Sequence, residues 1–70
     1  MKTTQFQVTG MTCGHCELSI REEVLEVHGV ESVDVSHQTG KLIVAGNETV
    51  DEAAIIAAIQ VAGYQGVRAA

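Results

Sequence analysis

The stretch "VESVDVSHQTGKLIVA", Val30 to Ala45, decides how this chain folds. In "VESVDV" Val33 and Val35 alternate with Ser32 and Asp34, the period of two that marks a strand with one wet face. "SHQTG", Ser36 to Gly40, is polar and ends in glycine, which reads as a hairpin turn. "KLIVA", Lys41 to Ala45, is apolar enough to be a central strand. Two strands joined by a hairpin therefore lie in the middle of the chain.

Helical patterns stand on both sides of this hairpin. Upstream, "CELSIREEVLEVHGV" spaces Ile20, Val24 and Val27 by four and three. That predicts an amphipathic helix of about three turns from Cys16, with Leu25 widening its buried stripe and Gly29 as its stop. Glu17 near its start and His28 near its end suit the two poles of the helix dipole. Downstream, "TVDEAAIIAAIQVAG" carries an apolar stripe of Ile55, Ile56, Ile59 and Ala62 and ends at Gly63. Thr49 followed by Glu52 reads as its capping box. Outside these helices, Thr4 to Thr9 alternates Phe6 and Val8 against Gln5 and Gln7, a half-buried strand, and "YQGV" is a short last strand. The order is β-α-β-β-α-β. Right-handed crossovers interlock such halves in one four-stranded antiparallel sheet with both helices on one face. The fold class is α+β, a ferredoxin-like sandwich, and residues 1–70 form a single domain.

Composition narrows the function. Only Phe6 and Tyr64 are aromatic, too few to stack single-stranded nucleic acid. The net charge of −5 argues against phosphate backbones and anionic membranes and suits a partner with a basic patch. No apolar run approaches the ~20 residues of a membrane span. "MKTTQFQVTG" lacks the apolar core of a secretory signal, so the expected compartment is the cytoplasm, where thiols stay reduced.

Both cysteines fall in "GMTCGHC", Gly10 to Cys16. Three chemistries use a C-x-x-C pair: a dithiol switch, half of a four-ligand zinc site, and a two-thiolate site for a soft metal. Structural zinc wants four ligands. Only Cys13, Cys16 and at most His15 are local, with no second C-x-x-C or H-x₃-H in the chain. A dithiol switch wants a thioredoxin-like fold, which the β-α-β-β-α-β order does not give. A Cys13–Cys16 disulfide formed in air would then be a loss of function. Cys13 lies in the loop after the first strand and Cys16 at or just inside the first helical turn, where unpaired backbone N–H groups favour a thiolate. Gly10 and Gly14 let the backbone bend so that the sulfurs converge. Soft thiolates in an exposed loop favour Cu(I).

"GMTCGHC" before a helix, then "GVESVDV", "TGKLIV" and an alanine-rich helix ending "AGY", resembles the heavy-metal-associated domain family, in particular its small bacterial copper chaperones. The resemblance runs from Thr4 to Val67. It implies a non-enzymatic Cu(I) carrier, with Cys13 and Cys16 as near-linear ligands and one Cu(I) per monomer. It also implies transfer by thiolate exchange to the metal-binding domain of a copper-transporting P-type ATPase. Thr12 stands where zinc, cadmium or lead members often carry an acidic residue, as in the copper branch. A mercury-binding periplasmic relative shares Met-Thr-Cys but would need a signal sequence. Tyr64 matches a tyrosine that lies beside the metal loop in the bacterial chaperones.

Other residues near the motif carry two readings each. Met11 is a thioether ligand or a core anchor for the loop. His15 is a third ligand, a tuner of the thiolates, a dimer contact around copper, or a solvated loop residue. Tyr64 caps the core edge or directs its hydroxyl toward a sulfur. His28 and His37 are assigned no ligand role, and Glu22, Glu23 and Glu26 form a solvated helix face or a dock for a basic patch. Copper can bridge two such loops, so a homodimer holding a multi-copper cluster is open. Two alternatives remain: a metal-binding regulatory domain of a larger copper ATPase, and a dithiol oxidoreductase.

Overall fold

The computed structural model describes residues 2–11 and 14–69. Thr12 and Cys13 lie outside the described residues. The elements follow the expected order: β1 (Lys2–Thr9), α1 (Gly14–Leu25), β2 (Val30–Val35), β3 (Lys41–Gly46), α2 (Glu52–Val61) and β4 (Gln65–Ala69). One antiparallel sheet has the strand order β2-β3-β1-β4. β1 and β3 are therefore central, with β2 and β4 at the edges.

The alternation fixes which side meets the helices. Phe6 pairs with Leu42 and Thr4 with Val44, and all four are buried. Val33 joins them from β2, Ile20 and Val24 from α1, and Ile55, Ala58 and Ile59 from α2. Helix spacings of three and four place those residues on the faces turned to the sheet. The opposite face carries half-buried Gln5 and Gln7 with exposed Ser32 and Asp34, as the strand pattern implies.

Three local expectations are corrected. α1 ends at Leu25, before Gly29. Its ladder tightens there, with the N–H groups of Glu26 and Val27 bonded three residues back to Glu23 and Val24. Leu25 is 42% exposed and does not widen the buried stripe; half-buried Val27 packs on the core instead. The cap of α2 is Asp51, whose carboxylate accepts the Ala53 N–H at 3.0 Å. Thr49 and Glu52 form no capping box because each is engaged elsewhere. Asn47 Oδ1 takes both the N–H and the hydroxyl of Thr49, and Arg68 of β4 holds the Glu52 carboxylate at 2.8 Å.

The C-terminus of α2 is as the sequence predicts. Gly63 has φ +96°, a conformation that side chains with a Cβ rarely adopt. Its N–H reaches Gln60 O at 2.9 Å and the Tyr64 N–H reaches Ile59 O at 3.1 Å. This paired closure turns the chain from α2 into β4 and sets Tyr64 at its corner.

Candidate metal centre

The antiparallel order gathers three connections at one end of the sheet. β1 finishes there at Thr9, opposite Gln65 at the start of β4. The β2–β3 hairpin reaches the same end, because Gln7 pairs with Lys41 and the Val8 N–H donates to Gly40 O at 2.7 Å. α1 starts here and α2 finishes here. The end is thus formed by the segment after β1, the hairpin 36–40 and the corner 62–64.

Cys16 is the third residue of α1 and is only 8% exposed, part of the same apolar cluster as Ile20 and Val24. It lies four residues before Ile20 on the core-facing stripe, which is why a helix beginning at Gly14 turns it inward. The sequence expected Cys16 at or just inside the first turn; it stands inside. Cys13 lies outside the described residues, so only one of the two expected ligands is placed. Met11 is buried in the core cluster, the position of a loop anchor. His15 is exposed. Tyr64 is half-buried against the core. A Cβ built on Gly10, whose φ is +92°, would lie 3.4 Å from Tyr64 Cδ1, so the tyrosine ring borders the start of the cysteine segment. Among the described residues, no group of three or more His, Cys, Asp or Glu is placed to hold a metal ion.

One contact was not foreseen. Glu17, the residue after Cys16, reaches across to the hairpin. Its Oε2 accepts the backbone N–H of His37 at 2.6 Å and lies 2.6 Å from His37 Nδ1. The backbone N–H first, and then the imidazole, hold the Glu17 carboxyl below the usual carboxylate range. His37 thus has a protein partner in Glu17, a contact apart from any ligand role. Twenty residues separate the two, so no local motif announces the pair; only the topology brings hairpin and helix start together.

A profile of the heavy-metal-associated domain matches residues 5–65. The chain belongs to the heavy-metal-associated domain family. A curated relative, copper chaperone CopZ of Enterococcus hirae, is 39% identical over 62 residues, covering 87% of this chain and 90% of the relative. The periplasmic component of the mercuric transport protein of Pseudomonas aeruginosa is 37% identical over 43 residues, 61% of this chain and 47% of that protein. The chain spans about a tenth of the mercuric reductases it also matches, 11% of that of Shigella flexneri. Among solved structures, a copper-binding domain from the P-type ATPase HMA7 superposes with a TM-score of 0.93 at 31% identity, covering 100% of this chain and 96% of that one. The ferredoxin-like fold is shared with that domain. No helix of the described residues is long and apolar enough to cross a membrane.

Proposed function

We propose that the protein is a cytoplasmic Cu(I) carrier, not an enzyme, whose cargo is held by the thiolates of Cys13 and Cys16. The observation that carries this reading is the C-x-x-C pair at the strand-to-helix junction of a heavy-metal-associated domain, with Cys16 in the first turn of α1. Two soft sulfurs three residues apart suit an ion content with few ligands. The match over nearly the full length of a copper chaperone supports copper over other soft ions.

The partner in this reading is a C-x-x-C metal-binding domain of a copper-transporting P-type ATPase. As one Cu–S bond to Cys13 or Cys16 breaks, one to a partner thiolate forms, and copper stays Cu(I). Thiolate exchange keeps the ion bound throughout, so transfer can be fast although each complex is tight. A second reading, a metal-binding domain of a larger ATPase, is supported by the superposition on such a domain. Both share one site, and the direction of flow separates them. The test mixes the Cu(I)-loaded chain with an isotope-labelled ATPase metal-binding domain under anaerobic conditions and follows the partner's amide spectrum. Copper-dependent shifts in the partner within seconds, without free ion, are expected. A spectrum left in its copper-free form argues against the carrier.

A further inference from the structure

We propose that His37 is a positioning residue for the metal centre, acting through Glu17. It rests in part on the Cu(I) reading above, and its first arm needs no metal.

The argument starts from placement. The first turn of α1 carries Cys16, and Glu17 follows it directly. The first turn of a helix is its least fixed part, since its N–H groups have no partners within the helix. Here that turn is tied from outside. Two donors of one residue, the His37 backbone N–H and its Nδ1–H, converge on Glu17 Oε2, both at 2.6 Å. Bonds to a carboxylate are the stronger kind. The hairpin that supplies them is itself fixed to the sheet: Gly40 O takes the Val8 N–H, Gly40 N–H donates to Ser36 O at 2.9 Å, and Ser36 N–H donates to Lys41 O at 3.0 Å. The contact therefore runs from β1 and β3, through the hairpin tip, to the turn that holds Cys16.

The contact also disposes of a charge. A bare carboxylate next in the chain to Cys16 would oppose the negative charge that a thiolate–Cu(I) site carries. Two donors aimed at Glu17 Oε2 offset that charge and hold it toward the hairpin. His37 serves the centre without being a ligand of it.

The test compares His37→Ala and His37→Asn with the unaltered chain. Alanine keeps the backbone bond and removes the ring donor; asparagine restores a donor near the place of Nδ1. In the first arm, amide hydrogen exchange of the reduced, metal-free protein is followed by NMR. The amides of Leu18 and Ser19, which close the first turn, should exchange ~10-fold faster in His37→Ala, with α2 unchanged and His37→Asn near the original. In the second arm, Cu(I) affinity is read against a chromophoric chelator. It should fall ~10-fold in His37→Ala, the scale of losing an outer hydrogen-bond partner of a metal site, and recover in His37→Asn. Glu17→Ala removes both bonds and should cost at least as much, and the double variant no more than Glu17→Ala alone. Unchanged exchange at Leu18 and Ser19, an asparagine variant no better than alanine, or additive losses in the double variant would each overturn the proposal. Should the unaltered chain fail to hold Cu(I) against the chelator, the carrier reading falls, and the exchange arm still decides the role of His37.

Discussion

Gly46→Ala should damage the fold and spare the metal site. Gly46 is the last residue of β3, paired with Lys2 and Val30 at the end of the sheet away from Met11 and the start of α1. A Cβ there would lie 2.3 Å from the carbonyl oxygen of Gly29 and 2.8 Å from Val50 Cγ2. A C–H···O contact needs ~3.3 Å, so about 1 Å must come from backbone movement. That same carbonyl accepts the Asn47 N–H at 3.0 Å, and the movement strains this bond as well. Overpacking costs ~1–3 kcal/mol and a lost hydrogen bond ~1 kcal/mol, about 3 kcal/mol together. A chain of 70 residues has roughly 3.5–10 kcal/mol to lose. Urea unfolding of the reduced, metal-free protein should therefore show a much lower midpoint, and Tm should drop by more than about 10 °C. Below the transition, Cu(I) affinity should match that of the unaltered protein. A stability loss under ~0.5 kcal/mol would refute the steric argument. A large loss of affinity in the folded protein would refute the separation of the two ends of the sheet.

Three further outcomes follow from single contacts. Asp51→Ala should lower stability by about 1 kcal/mol through loss of the α2 cap, and Thr49→Ala by clearly less; equal losses in chemical unfolding would restore the capping box. Glu17 has a lowered folded-state pKa, so its contribution is present above its ordinary value near 4.5 and fades as pH falls through the folded value. Glu17→Gln should remove that part of the acid sensitivity, and an unfolding free energy with the same slope below pH ~4.5 in both proteins would contradict it. Cys16→Ser places a hydroxyl in an apolar cluster and should cost about 1–3 kcal/mol while the far-ultraviolet circular dichroism stays native; an unfolded variant would show that the thiol's packing is essential to the fold.

Periodicity carried most of the fold. Phe6 and Val8, Leu42 and Val44, and Ile55 and Ile59 are buried where period two or spacing by three and four requires. Gly63 closes α2 because its neighbours supply a backbone pattern that only a positive φ completes. What failed was competition between local signals. Thr49 and Asp51 both have cap chemistry, and the local Asn47–Thr49 contact with the tertiary pair Glu52–Arg68 decided between them. Leu25 falls just where α1 tightens, so an unbroken helical wheel misplaces it. Buried Val50, just before the Asp51 cap, belongs to no periodic run, and its signal is the N′ position of a hydrophobic staple with Ile55, which depends on knowing the cap. At the candidate metal centre, C-x-x-C before a helix was enough to place Cys16, and Met11 fell to the core as a bulky apolar residue should. The Glu17–His37 contact was hidden because its partners are distant in sequence; the topology alone holds them together.

The central claim is that Cys13 and Cys16 hold Cu(I). The most direct measurement is an anaerobic titration of the reduced protein with Cu(I) against a competing chromophoric chelator, with apparent mass followed throughout and Cys13→Ser and Cys16→Ser run beside it. The account predicts tight binding near one Cu(I) per chain, lost in either variant. Excess copper in a doubled mass would mean that two loops share a cluster. Tight binding kept in both serine variants, or a chelator that retains the copper while both thiols still titrate, would contradict it.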